Sequence, residues 1–263
     1  MGNQGLVCCD CLAGNRVGKP RSGSELHGPV TLMSKSAGLE AETEETTQIQ
    51  GFHRPTVFTA LARAEEAFLD MLAQDPASDP TYSRLLDKDG VQVFSKDTVG
   101  GYAIRSQWRT TTSPEELLSF INNPEARKSW DTHVGGMDQV ATFDANTRVL
   151  HIEYKKQFPV SARDLLIVCK TTCSGQDWLD VSCSVASEQH PPGKDVVRAV
   201  LVIGGYSFQR KGEEWEVRSV TELQFGGSVP KALVKQMSAA SVPNFVQTLH
   251  KVVLHRRTQS AIV

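Results

Sequence analysis

Arg127 and Asp131 stand four residues apart in Ala126-Arg-Lys-Ser-Trp-Asp131, the spacing that puts two side chains on one face of a helix. A guanidinium so placed can grip a phosphate through two N–H groups, and a carboxylate beside it fixes its orientation. The same spacing fits an exposed ion pair worth about 0–1 kcal/mol, and the residues alone leave both readings open. A second cluster opens the chain, in Met1-Gly-Asn-Gln-Gly-Leu-Val-Cys-Cys-Asp-Cys11. Gly2 becomes an acceptor for myristate once Met1 is removed, and Cys8, Cys9 and Cys11 are placed to accept palmitate. Two such signals hold a protein on a membrane far better than one acyl chain does. Leu6 stands where that pattern has Ser or Thr. A zinc site would need a fourth ligand and a C-x-x-C spacing that these cysteines lack, and an unstructured start with incidental cysteines is the other alternative.

Catalytic chemistry has few candidates. His151 and Glu153 alternate with Leu150, Ile152 and Tyr154 on an expected strand, so both turn away from its apolar face. The sequence has no G-x-S-x-G, no metal-ligand spacing and no phosphate-binding glycine loop. A non-enzymatic chain with no cofactor and no metal is expected. A net charge of −2 without a basic stripe argues against a nucleic-acid partner. No apolar stretch is long enough to span a bilayer, and no charged and apolar leader follows Met1, so membrane attachment is expected to be peripheral. Cys169, Cys173 and Cys183 fall within expected strands and do not suggest a disulfide framework; reduced thiols suit a cytosolic setting.

These residues need elements to position them. Residues 1–50 read as an anchor and a linker rich in Gly, Ser, Thr and Glu, and residues 51–258 as one folded domain. Pro55 opens a helix with Val57, Leu61, Ala64, Phe68, Met71 and Leu72 at helical spacing, ending before Asp75-Pro76. Two strands follow around residues 91–96 and 102–110. Ser113-Pro114 and Pro124 each start a short helix, the second carrying Arg127 and Asp131. Beyond Met137 a meander of strands is expected, the last with Trp215, Val217, Ser219, Thr221 and Leu223 on an apolar face and Glu214, Glu216, Arg218 and Glu222 on a wet one. A terminal helix from Pro230 has Leu233, Met237, Ala240, Phe245, Leu249 and Val252 as its apolar stripe, and Pro243 is expected to kink or break it.

Three strings then occur in order: Ala126 to Asp131, Phe158-Pro-Val-Ser-Ala-Arg-Asp-Leu165, and Gly226-Gly-Ser-Val-Pro-Lys-Ala-Leu233 continuing to Ser241-Val-Pro-Asn-Phe245. In order and spacing the chain resembles the START domain family over residues 52–257, and within it the members that transfer phosphatidylcholine. The resemblance implies an α+β helix-grip fold, a curved antiparallel sheet around a long C-terminal helix with a lipid cavity between them. It implies Arg127 as the headgroup contact and Asp131 as its counter-ion, with Trp130 a packing residue. The positions that form an aromatic cage for choline in those members are Ile152, Leu165 and Val202 here, none aromatic, so choline specificity is not expected. Tyr154 and Tyr206 are the aromatic residues that could substitute. Leu233 and Met237 would line the cavity from the helix. Phe158, Pro159 and Val160 would form the loop beside the mouth, and Val229 its other edge. Arg163 and Asp164 are expected to pair and anchor that loop.

The resulting expectation is a lipid-binding and lipid-transfer protein that carries one lipid, a phospholipid for preference, at the cytoplasmic face of a membrane. The rival is a membrane-tethered sensor or scaffold that keeps its ligand.

Overall fold

The computed structural model of the chain describes residues 48–99, 101–157, 159–227 and 229–260. Gly2, Cys8, Cys9 and Cys11 lie outside the described residues, as does Phe158. A short hairpin, β1 (Gln48–Ile49) and β2 (Phe52–His53), leads into α1 (Arg54–Ala73). Three strands follow, β3 (Tyr82–Lys88), β4 (Val91–Thr98) and β5 (Gly101–Thr110), then the helices α2 (Pro114–Ile121) and α3 (Pro124–Trp130). The rest of the sheet is β6 (Val134–Thr142), β7 (Thr147–Tyr154), β8 (Arg163–Ser174), β9 (Asp177–Ser184), β10 (Val197–Arg198), β11 (Val200–Lys211) and β12 (Glu214–Gln224). The chain closes on α4 (Lys231–Ser260).

The sheet runs β3-β4-β5-β12-β11-β9-β8-β7-β6, antiparallel throughout, with β10 alone pairing parallel to β8. Register shifts in β3, β6 and β11 mark bulges, which bend strands and let a large sheet close over its contents. Helix α1 buries Val57, Leu61, Ala64 and Phe68 against the outer face, where Val149, Leu166, Val168, Val181 and Val220 meet it. Proline stands in its first turn, where the missing N–H costs nothing. Its last carbonyls, of Met71 and Gln74, accept hydrogen bonds from Nη1 of Arg105 on β5, so one cation caps the helix end and pins it to the sheet. The wet face expected on β12 is covered only in part: Val220 is buried under α1 and Glu216 beside Arg218, while Glu214, Arg218 and Glu222 stay half-exposed.

The inner face holds α2, α3 and α4. Val246, Leu249 and Val253 of α4 pack over Val91, Val93, Trp108 and Val217 and against Leu117, Leu118 and Phe120 of α2. Pro243 does not break α4, which runs through it to Ser260. The stripe is the corrected part, since Ala240 is exposed while Val246 and Val253 are buried. Leu233 and Met237 in the N-terminal half are only half-buried and join none of the three apolar clusters formed by the described residues.

The strands' two ends differ. At one lie the turns at 89–90, 144–146, 175–176 and 212–213; at the other lie the β4–β5 turn, residues 155–157 and 159–162, the two ends of the 185–196 connection, β10 and residues 225–227, ahead of α4.

Candidate functional site

Asn123 caps α3 by accepting from the Ala126 N–H (2.9 Å), Pro124 starts it, and Asp131 ends it in an extended conformation. One turn of helix then brings Arg127 and Asp131 together. Arg127 Nε and Nη2 both lie 2.7 Å from Asp131 Oδ2, Nη1 donates to the Ile121 carbonyl (3.4 Å), and Asp131 Oδ1 accepts from the His133 N–H (3.1 Å). Only 13% of the Arg127 side chain and 8% of the Asp131 side chain are exposed, so this is an interior pair and the exposed ion-pair reading falls. The guanidinium lies 5.0 Å from the Trp130 ring and 5.1 Å from the Phe245 ring. Trp130 is a packing residue whose indole N–H donates to the Phe120 carbonyl (3.1 Å).

Tyr154 of β7 and Tyr206 of β11 face Arg127 from the sheet. Burial would pull the Arg127 guanidinium down, but Tyr154, Asp131 and Tyr206 hold it above its ordinary value. Burial pushes the Tyr154 phenol up and Tyr206 up to about 12, so both keep their protons and can donate. Among the described residues neither hydroxyl has a hydrogen-bond partner. Both side chains are deep in the protein yet partly accessible, as expected of groups that border an internal space. Beyond Tyr206, directly across from it in register, is Asp180, which accepts from Thr171 Oγ1 (2.6 Å) and Asn122 Nδ2 (3.1 Å) with Arg148 Nη2 at 3.8 Å. These groups make a polar belt on the inner face, in which burial pushes the Asp180 carboxyl up while Arg148, Thr171 and Asn122 pull it down. Arg148 and Asp180 escaped the sequence reading because a polar residue on alternate strand positions looks solvent-facing, and only the packing of α2 shows otherwise.

Below the belt is an apolar wall. Ile152 and Leu165 are register partners, both buried, with Val134, Met137, Leu150, Ile167 and Leu201 around them. Val202 does not belong there: the register shift between Leu201 and Ile203 turns it to the α1 side, and Leu201 takes the inner place. At the loop end Pro159 is exposed, Val229 is half-buried and Val160 is buried at 8%, so Val160 packs inside the loop instead of facing outward. Glu153 is exposed and stays off the inner face, because β7 pairs with β8 without a register shift. A surface cleft of about 310 Å³ lies between the turn at 89–90 and α4, bordered by His250 and by Trp108, whose ring meets Tyr206 edge-on at 6.4 Å.

Residues 75–260, more than half of the chain, match the START domain family. The chain belongs to the START domain family. Human START domain-containing protein 10 is 27% identical over 176 residues, which cover 66% of this chain and 60% of that protein. Human ceramide transfer protein is 18% identical over 198 residues, covering 66% of this chain and 32% of that protein. The chain thus spans less than two thirds of the length of these relatives. Among solved structures, human StAR-related lipid transfer protein 5 superposes with a TM-score of 0.67 at 17% identity, covering 76% of this chain and 99% of that one. Human STARD10 does so with 0.65 at 22%, covering 75% and 82%. The helix-grip START fold is therefore the architecture, and the polar belt lies on the inner face of its sheet.

Within this START domain the expected Arg163–Asp164 pair does not form, because neighbours on a strand point to opposite faces. Arg163 donates to the Ser161 carbonyl and, at 3.4 Å each, to the Phe225 and Gly226 carbonyls, tying the loop before β8 to the segment that enters α4. Asp164 turns outward and is held by Arg198 Nε and Nη2 (2.9 Å each) and by His151 Nε2 (2.9 Å). Among the described residues no His, Cys, Asp and Glu group could hold a metal ion, and no helix is long and apolar enough to cross a membrane.

Proposed function

We propose that this START domain takes up one lipid whose polar group carries no net charge, a zwitterionic phospholipid best, and moves it between membranes without chemical change. The observation that supports this is the belt itself: Arg127 already neutralised by Asp131, with the Tyr154 and Tyr206 hydroxyls left over as donors. A phosphate oxygen at Arg127 would receive three N–H or O–H donors without displacing Asp131. A lipid with a net negative headgroup would bury an uncompensated charge, which is costly. Ile152 and Leu165 contribute no aromatic face to a quaternary ammonium, so choline gains nothing over other zwitterionic headgroups.

An enzyme is the weaker reading. His151 and Asp164 look like a base and its orienting carboxylate, yet Arg198 occupies both Asp164 oxygens, and among the described residues no hydroxyl or thiol bonds His151. A sensor that keeps its lipid shares the same pocket and differs only in exchange rate. Native mass spectrometry of the full chain should find one lipid per protein, and the loaded protein should deliver it from donor to acceptor vesicles. Occupancy without delivery would leave the sensor; neither would end the lipid-carrier reading.

Attachment to a membrane's cytoplasmic face is proposed for the N-terminal segment, through myristate on Gly2 and palmitate on Cys8, Cys9 and Cys11. Fractionation of cells expressing the chain should show partial release on replacing the three cysteines and complete release for Gly2→Ala. Equal membrane binding of Gly2→Ala and wild type would remove acylation from the account.

A further inference from the structure

We propose that the β4–β5 turn is a second membrane footing, so that the loop end of the sheet stands on a lipid bilayer with Val99 inserted beside the mouth. This rests on the lipid-carrier reading, since a mouth that loads from a membrane must face one.

The two ends of the sheet are built from different residues. Asp89, Gly90, Asp144, Asn146, Gly175, Gln176, Gly212 and Glu213 make the turns at one end, the polar and glycine set that turns in water use. At the other end the β4–β5 turn carries Val99, a β-branched apolar residue where such residues are disfavoured. Among the described residues four large apolar side chains are exposed, Leu69 (47%), Val99 (111%), Val200 (42%) and Leu254 (60%), and two of the four, Val99 and Val200, are at this end. Strand register places them together. Tyr102 pairs with Leu223 and Val200 with Gln224, so β5, just past its turn, and β11, at Val200, flank the end of β12 two strand spacings apart, about 10 Å.

The mouth is at this same end. Tyr154 pairs with Arg163 there, Pro159 is exposed beyond them, and Arg163 ties the loop to Phe225 and Gly226 on the way into α4. Lys155 and Lys156, both exposed, stand beside it at the level where phosphate headgroups would meet the protein. The basic turns at the C-terminus of α4 cannot do this. At about 1.5 Å per residue the helix puts His255 to Arg257 about 36–39 Å from its start, and Arg257 is already paired with Glu116. Isolated apolar side chains on a surface need no explanation, but a fully exposed valine in a turn beside the mouth, with exposed Val200 near it and no such residue in the turns of the other end, does.

The test uses the full chain in vesicle assays. Val99→Trp should add fluorescence quenched by vesicles of brominated phospholipid, while Gln176→Trp at the opposite end should not. Val99→Asp should lower vesicle-to-vesicle transfer about 10-fold with lipid occupancy by native mass spectrometry unchanged, since insertion of one valine is worth about that in affinity. Equal quenching of the two tryptophan variants, or wild-type transfer by Val99→Asp, overturns the footing. Failure of the wild-type protein to hold lipid would instead count against the carrier reading, and the quenching comparison would still decide the footing.

Discussion

Replacing Arg127 with Gln and Asp131 with Asn together is expected to leave a folded domain that takes up phospholipid about 100-fold less well, because two charge-assisted hydrogen bonds to phosphate are lost. The double replacement is the informative one. Arg127→Ala alone would strand Asp131 inside the protein, and breaking a buried pair costs about 3–5 kcal/mol, so folding and binding would fall together. The amide pair keeps shape and hydrogen bonding while removing both charges. Thermal unfolding of the lipid-free protein and equilibrium uptake from vesicles measure the two effects separately. Unchanged uptake with lowered stability would make the pair purely structural. In the same assay, phosphatidylcholine should compete with other zwitterionic phospholipids of matched chains to within about threefold, since a cation–π cage is missing at Ile152 and Leu165.

Asp164→Ala is expected to destabilise the domain by about 3–5 kcal/mol, a large share of a typical domain's stability. Asp164 is fully buried, and its removal leaves Arg198 without a carboxylate and His151 without its partner. Strand β10 and the chain around His190, whose carbonyl accepts from Arg198 Nη2 (2.9 Å), would lose their tie to the sheet. The pH dependence follows from the same contacts. Burial would push the Asp164 carboxyl up, but Arg198 and His151 outweigh it and hold it below its ordinary value. Its folded value is thus the lower one, so its stabilisation is complete above the unfolded carboxylate value of about 3.9 and is lost as pH falls through the folded value. Urea unfolding at pH 7 and below pH 4 should show Asp164→Asn converging on wild type only in acid. A constant gap between the two at all pH values would contradict this assignment.

Much of the local structure is legible in the sequence for reasons that act over a few residues. Proline after a capping Ser113 or Asn123 starts α2 and α3, and the 57, 61, 64, 68 spacing determines the face that α1 buries. The four-residue separation of Arg127 and Asp131 determines that they can meet. Each is a consequence of the helical period and of the polar groups left free at a helix start. The three strings, read in order, also marked the fold.

Whether the Arg127–Asp131 pair is exposed or interior was decided by tertiary structure alone. The burial that separates the two comes from Phe245 on α4 and from Tyr154 and Tyr206, remote in sequence, and no local pattern reports which distant elements will cover a face. The same holds for Val220, which sits under α1 although its strand reads as half wet. Val202 points the wrong way because a bulge adds one residue to β11, and alternation counted along a sequence carries no sign of where a strand gains that residue. Asp164 found Arg198 and His151 instead of its neighbour Arg163 because adjacent strand residues face opposite sides, so its partners had to come from other strands, β10 and β7.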